Sequence, residues 1–120
     1  MRLDFHRDIY LPAELVAHVR AVNYSRLVYT RHALGAALED GLRHTDLPLS
    51  LCLDDWTLVH VETWHGRPTG ILVRRPVNSN PRLHLVLAIS VPDCRVKTVW
   101  INRADDNHRT LDRAKYVSAP

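Results

Sequence analysis

The densest run of polar side chains lies between Asn102 and Arg113, near the end of the 120-residue chain. Within this run, His108 carries an imidazole, a group that exchanges protons near neutral pH and could act as a general acid or base. The guanidinium groups of Arg103 and Arg109 suit a scissile phosphate and the charge that develops on it. The same run would also form a capped terminal helix with surface ion pairs, so a structural role stays open beside the chemical one.

Basic and aromatic side chains on the predicted strands form a second set of candidates. Arg74 and Arg75 are neighbours on one predicted strand, so at most one of them shares a sheet face with Lys97. Charges at these positions would bind phosphate, or they would only protect a sheet edge from aggregation. Trp100, like the chain's two other tryptophans, could stack on a nucleic-acid base or pack in the core.

The histidines and cysteines do not show the spacing of a metal site. No pair of the eight histidines has the His-x₃-His spacing, and Cys52 and Cys94 are 42 residues apart. Four glycines leave no room for a glycine-rich phosphate loop, and the Gly-x-Ser-x-Gly motif is absent from the sequence. We therefore expect no metal and no cofactor, and the sequence argues against nucleotide hydrolysis and serine or cysteine hydrolase chemistry.

Charge is distributed unevenly along the chain. Residues 1–66 hold six Arg and no Lys against nine acidic residues, a net charge of −3. Residues 67–120 hold eight Arg and two Lys against four acidic residues, a net charge of +6. A basic half on a small protein indicates an anionic partner, with RNA or DNA the first candidate, although a merely solvated basic face is also compatible.

Length and composition are those of one globular domain that spans residues 1–120. Hydrophobic residues make up 46% and charged residues 24%, a balance that excludes a disordered chain. No apolar run approaches the roughly 18 residues that a membrane-spanning helix needs, and the N-terminus has no signal-peptide core. Two cysteines do not make a disulfide framework, so we expect a cytoplasmic protein with no membrane partner.

Two helices are predicted in the first third of the chain. Pro12 suits a first helical turn, and apolar residues then recur at helical spacing until about Asn23. Ser25 is the predicted N-cap of a second helix, which is expected to end at Gly41. His32 lies on this second helix, one position from the apolar stripe, where a boundary residue and a catalytic base are both compatible.

Strands dominate the rest of the chain. Short turns separate four predicted strands, which must therefore be antiparallel. The sequence predicts an α+β fold, with two N-terminal helices on one face of this four-stranded sheet and a short C-terminal polar tail or helix. Residues 3–10 could add an edge strand. The four predicted strands are residues 56–64, 71–75, 83–91 and 95–102.

This order of two helices and an antiparallel meander resembles the RelE/BrnT-like toxin ribonucleases of the barnase–EndoU–colicin–RelE group. The resemblance extends over residues 12–103. Residues 31–34, Arg-His-Ala-Leu, are similar to the His-Ala step that opens a helix in the BrnT-like relatives. Residues 85–90 and 95–100 are similar to the closing hairpin, whose last strand reads basic–Thr–aliphatic–aromatic.

The resemblance implies a metal-independent endoribonuclease of toxin type that binds RNA on a basic sheet face. In such enzymes the ribose 2′-OH attacks the phosphate, a base removes its proton, an acid protonates the leaving 5′-oxygen, and cations stabilise the phosphorane. The resemblance assigns catalysis to His32, His108 and Arg109, and it implies an acidic antitoxin as partner. RNA and phosphate binding are assigned to Arg75, Lys97, Trp100, Asn102 and Arg103.

Two other functions use the same predicted surface. A non-catalytic module, regulatory or directed at a host, would bind nucleic acid or an acidic protein with its basic face, without turnover and with strong salt dependence. Alternatively, the free face of the sheet would be buried in a homodimer.

Overall fold

The computed structural model describes residues 2–3, 13–78 and 80–103. The predicted C-terminal tail from residue 104 onward, and most of the predicted edge strand at residues 3–10, lie outside these ranges. Two short 3₁₀ turns, His44–Asp46 and Leu53–Asp55, precede the long strands. The helices and strands, in chain order, are β1 (Arg2–Leu3), α1 (Ala13–Ala21), β2 (Val28–Tyr29), α2 (Arg31–Glu39), β3 (Thr57–Trp64), β4 (Arg67–Val77), β5 (Asn80–Ser90) and β6 (Arg95–Arg103).

The described strands form one mixed sheet in the order β1-β3-β4-β5-β6-β2. Strands β3 to β6 pair as an antiparallel meander, so the predicted α+β class with two helices is confirmed. The prediction of a purely antiparallel four-stranded sheet is corrected, because β1 pairs parallel with β3 and β2 pairs parallel with β6. Each of these added strands has two residues, too few to show the alternation that marks a strand in a sequence.

The second helix begins later than the sequence predicts. Thr30, rather than Ser25, is its N-cap, because the Thr30 hydroxyl accepts a hydrogen bond from the Ala33 N–H at 3.0 Å. The two residues before Thr30 form β2 and pair with the start of β6. Residues 25–29, which the prediction placed at the start of this helix, therefore lie outside it.

The end of α2 is a Schellman motif built on Gly41. Gly41 has a φ of +78°, a left-handed conformation that costs glycine little. Its N–H donates to the carbonyl of Leu38 at 3.0 Å, and the Leu42 N–H donates to the carbonyl of Ala37 at 2.9 Å. The prediction that Gly41 stops the helix is confirmed.

The two faces of the sheet carry different cores. Val19 of α1 and Ala33 of α2 are buried in one large cluster together with side chains from β3 to β6, and we call this side of the sheet the helix face. The opposite side, which we call the distal face, carries a smaller cluster. Its members are Val59, Leu72, Val86 and Ala88, with the half-buried Trp100 packed against them.

Two β-bulges change which side chains face which core. One lies between Leu58 and His60 of β3, and the other places Lys97 of β6 as an extra residue opposite the Ala88–Ile89 step. Val96 and Val99 are consequently both buried in the helix-face core, although strict alternation predicts opposite faces. A bulge inverts the alternation beyond it, and nothing in the apolar pattern of β6 marks its position.

Both ends of α2 are tied to β6. The Thr30 N–H donates to the carbonyl of Val96 at 3.1 Å. At the other end of the helix, a carboxylate oxygen of Asp40 accepts from the Ile101 N–H at 2.8 Å. These bonds satisfy backbone groups of β6 and fix which end of the helix lies beside which end of the strand.

Candidate functional site

At one end of the distal face the strand register brings an arginine and a histidine together. Arg74 lies opposite Val86, and His84 lies opposite Asn102. The Nε–H of Arg74 donates to Nδ1 of His84 at 2.8 Å, and Nη2 donates to the carbonyl of Arg103 at 3.0 Å. The Arg74 side chain is 3% exposed, and a charge so buried is tolerated only with acceptors of this kind.

The Arg74 bond determines where His84 carries its proton. An arginine in a protein remains protonated and only donates hydrogen bonds. Nδ1 of His84 must therefore present a lone pair, so the imidazole in this arrangement is neutral with its hydrogen on Nε2. Arg74 thereby holds the imidazole ring of His84 in one orientation.

Trp100 and Asn102 of β6 complete this group of side chains, and Arg103 contributes the backbone carbonyl that accepts from Arg74. Trp100 lies opposite Val86, in the same row of the sheet as Arg74, and Asn102 lies opposite His84. Trp100 and Asn102 are half-buried, and Arg103 is exposed. We call Arg74, His84, Trp100 and Asn102 the arginine–histidine cluster, and the exposed Arg103 ends the strand beside it. Its imidazole, amide and indole groups, with the positive charge of Arg103 beside them, suit a polyanion that carries bases, such as a nucleic acid.

Two residues predicted for the same site lie at the other end of β6. Lys97 precedes Asn102 by five residues, roughly 16 Å along an extended strand. His32 is exposed in the first turn of α2, whose N-cap Thr30 donates from its hydroxyl to the carbonyl of Lys97 at 3.2 Å. The length of β6 therefore separates His32 and Lys97 from Asn102, and their predicted roles stay predictions.

Arg75 lies on the helix face, so its predicted place among the RNA-binding residues of the free sheet face is corrected. It pairs with Leu85, a residue of the helix-face core. Its guanidinium carbon lies 4.4 Å from the ring centroid of Trp56, which is buried in the same core. Trp56 therefore packs in the core. Of the two neighbouring arginines, Arg74 is the one that lies on the distal face.

His108 and Arg109, the strongest candidates from sequence, lie outside the described residues. Their predicted roles stay predictions. The chain that carries them leaves β6 at Arg103, whose carbonyl accepts the hydrogen bond from Arg74. His108, the predicted acid–base residue, thus follows the end of β6 by five residues in the sequence.

The sequence reasoning missed Arg74 and His84. A usable signal exists in β5, where the larger side chains Leu85, Leu87 and Ile89 alternate with smaller ones. Assigning the larger set to the helix-covered core places His84 on the other face, because it has the opposite parity. The same parity argument in β4 puts Arg74 on the distal face once Val73 is assigned to the main core.

The buried cysteine does not have the environment of a nucleophile. Burial raises the pKa of the Cys94 thiol, and the negative charge of Asp93 raises it further. The Sγ of Cys94 donates to the carbonyl of Asn23 at 3.3 Å. Reactive thiols have lowered pKa values beside cations or helix N-termini, so Cys94 fits a structural role.

Comparison with known proteins does not identify a relative. No family model, no curated protein and no solved structure matches this chain. Among the described residues, no three His, Cys, Asp or Glu side chains come together as a possible metal site. Neither described helix is long and apolar enough to cross a membrane.

Proposed function

We propose that this chain is a metal-independent endoribonuclease of the toxin type, which binds single-stranded RNA at the arginine–histidine cluster. The observation that carries the proposal is the buried Arg74, which donates to His84 at 2.8 Å. Burying a guanidinium has a desolvation cost, which the hydrogen bonds of Arg74 to His84 and to the Arg103 carbonyl help to offset. The arrangement is typical of a site in which the orientation and the protonation state of an imidazole matter.

The proposed reaction uses the ribose 2′-OH as nucleophile and releases the 5′-oxygen. The Nε2–H of His84 donates to a non-bridging phosphate oxygen, and Arg103 adds positive charge as the phosphorane forms. His108, with Arg109 beside it in sequence, supplies the proton exchange that the neutral His84 does not. Trp100 and Asn102 contact the neighbouring base. The products are a 2′,3′-cyclic phosphate and a 5′-hydroxyl end.

The first experiment incubates the purified full-length chain with a single-stranded RNA in the presence of EDTA. Cleavage to cyclic-phosphate ends is expected to persist in EDTA. It should stop when the nucleotide at the cut carries a 2′-deoxyribose, because the nucleophile is then missing. Cleavage of the 2′-deoxy substrate, or cleavage that EDTA abolishes, contradicts the proposal.

A pair of histidine variants locates the chemistry. His108→Ala is expected to lower the cleavage rate by about 10²–10⁴-fold, the usual contribution of a general acid or base. His44→Ala is the matched control, because His44 is an exposed residue in the first 3₁₀ turn and is not part of the arginine–histidine cluster. Equal rates for both variants would exclude His108. Salt-sensitive RNA binding by a wild-type protein that never cleaves would instead establish the non-catalytic binding module.

A further inference from the structure

A second basic centre lies on the helix face, at the same end of β4 as the arginine–histidine cluster but on the other side of the sheet. It is formed by Arg75, whose guanidinium carbon lies 4.4 Å from the centroid of the Trp56 ring. Trp56 is 2% exposed, whereas Arg75 is half-buried. A guanidinium held over an indole keeps its edge N–H groups available for an acceptor, since the ring contacts its flat face.

Arg75 has no acceptor among the described residues. By contrast, within the described ranges Arg20 pairs with Asp54 at 2.9 Å and Arg95 with Asp93 at 3.8 Å. In the part of the chain that the structure describes, the Arg75 side chain makes neither an ion pair nor a hydrogen bond, and its guanidinium contacts Trp56. A half-buried, positioned guanidinium with unused donors is suited to binding an oxyanion.

The Arg75 side chain opens into a small cleft. The cleft has a volume of about 100 Å³ and lies between residues 45–48 and the end of β4. Thr45 and Asn78 line it and supply a hydroxyl and an amide. The cleft therefore has room for a phosphate-sized group.

Two features show how the walls of this cleft are fixed. The Tyr29 hydroxyl donates to the carbonyl of Pro48, one of the lining residues. Asp46, which also lines the cleft, has one carboxylate oxygen committed to the Arg43 N–H at 2.8 Å. Burial raises the pKa of the Tyr29 phenol, and the positive charge of Arg75 opposes that rise. The Arg75 guanidinium is therefore close enough to interact electrostatically with Tyr29.

We propose that this cleft is a binding site for an oxyanion of the phosphate class, with Arg75 as its principal donor. The site is separate from the distal face, because Arg75 pairs with Leu85 of the helix-face core while Arg74 faces the other way. It does not depend on the proposed ribonuclease activity. The ligand is a free phosphate or the terminal phosphate of a polynucleotide, since both present the same dianionic group.

The test observes Arg75 directly in the wild-type chain. The ¹⁵N–¹H signal of the Arg75 Nε group is followed by NMR while inorganic phosphate is added at constant ionic strength, with chloride as the control anion. A saturable shift is expected with phosphate and not with chloride. A shift that rises linearly without saturation, or that chloride reproduces, overturns the proposal.

Two variants complete the test. Arg75→Gln is expected to weaken phosphate binding by at least about tenfold, the loss of one charged bidentate contact. Arg67→Gln is the matched control, because Arg67 is an exposed residue at the opposite end of β4. Equal affinity in both variants excludes the site, and thermal unfolding in chloride establishes that each variant is folded.

The source of the phosphate is decided by competition. Short oligoribonucleotides with and without a 5′-phosphate are added to wild-type protein saturated with inorganic phosphate, in EDTA and at low temperature. Displacement by the phosphorylated form alone assigns the site to a polynucleotide end. Displacement by neither form assigns it to the free anion. Because Arg75 is observed by NMR, failure of RNA cleavage would leave this result unchanged.

Discussion

Arg74 and His84 are diagonal neighbours across β4 and β5, and the Nε–H of the arginine donates to Nδ1 of the histidine at 2.8 Å. This bond predicts a single neutral tautomer for His84, with hydrogen on Nε2. Long-range ¹H–¹⁵N NMR at neutral pH is expected to show a protonated Nε2 and an unprotonated Nδ1 for this ring. In Arg74→Met, which removes the donor, a mixture of tautomers is expected. A wild-type ring with hydrogen on Nδ1 would contradict the arrangement.

Two substitutions at His84 separate the functions of its two nitrogens. Asn places an amide oxygen near the position of Nδ1, so His84→Asn keeps an acceptor for Arg74 and loses the donor at Nε2. Gln places its amide nitrogen near Nε2, so His84→Gln keeps the outward donor. If the donor contacts the phosphate, His84→Asn should lower RNA cleavage by about 10²-fold, close to the loss of one oxyanion donor, and His84→Gln by much less. Equal loss in both variants would assign His84 a structural role.

The exposed Arg103 predicts a change in salt dependence. For single-stranded nucleic acid, the logarithm of the binding constant falls with the logarithm of salt concentration by about 0.7 per phosphate neutralised. Arg103→Gln is therefore expected to reduce the slope by about 0.7 and to weaken binding across different RNA sequences. Arg67→Gln at the far end of β4 should leave the slope unchanged, as measured by fluorescence anisotropy from 50 to about 300 mM salt. Identical slopes in wild type and Arg103→Gln would place the RNA elsewhere.

Sequence periodicity predicted the meander because β3 to β6 are long and bounded by turns. The parts that it could not predict depend on contacts between distant residues. β2 is two residues long and exists because Val28 and Tyr29 pair with β6, so tertiary pairing replaced the helical turn that local propensity favoured. The sequence around Lys97 likewise gives no sign of the β-bulge at that residue. An inserted residue there reverses the face of every side chain that precedes it.

The sequence predicted only those residues of the candidate site that are close together along the chain. Trp100, Asn102 and Arg103 belong to one continuous strand end, so their proximity follows from the sequence alone. Arg74 and His84 join them only through the register of β4 on β5 and of β5 on β6. The choice of Arg75 over Arg74 required knowing which face the helices cover. Apolar residues on both faces of β4 conceal that information.

Two tyrosines predict how stability depends on alkaline pH. Burial raises the pKa of the phenol of Tyr24 and of Tyr29 above the ordinary value of 10.0, with the charge of Cys94 adding to the rise at Tyr24. The folded state therefore disfavours the phenolate. The stability from the neutral phenols is complete below pH 10 and is lost progressively as pH rises above it, where the unfolded chain ionises first.

Urea unfolding at several pH values between 8 and 11 measures this loss. Tyr24→Phe removes the hydrogen bond from its hydroxyl to the carbonyl of Val19, a cost of about 1 kcal/mol at pH 8. The same variant should lose less stability than wild type between pH 9.5 and 11, because one ionisable phenol is gone. A Tyr24→Phe protein with the wild-type alkaline slope would show that Tyr24 does not contribute to it.

Replacing glycine by alanine is expected to have opposite effects on stability at two positions in the α2 region. Gly41 has a φ of +78° and ends the helix, so Gly41→Ala forces an L side chain into the left-handed region and should destabilise the fold by about 1 kcal/mol. Gly35 lies within α2, and a Cβ there would meet nothing within 4 Å. Gly35→Ala should therefore stabilise the fold by roughly 0.5–1 kcal/mol, through higher helix propensity.

The difference between these two variants is more informative than either value, because both introduce the same methyl group at the same helix. Chemical denaturation of each variant gives the two free energies of unfolding with one method. If α2 ends in the Schellman motif, the midpoints must move in opposite directions from wild type. A Gly41→Ala protein as stable as wild type would mean that residue 41 does not adopt the left-handed conformation in solution. The bonds from Gly41 to Leu38 and from Leu42 to Ala37 would then be absent as well.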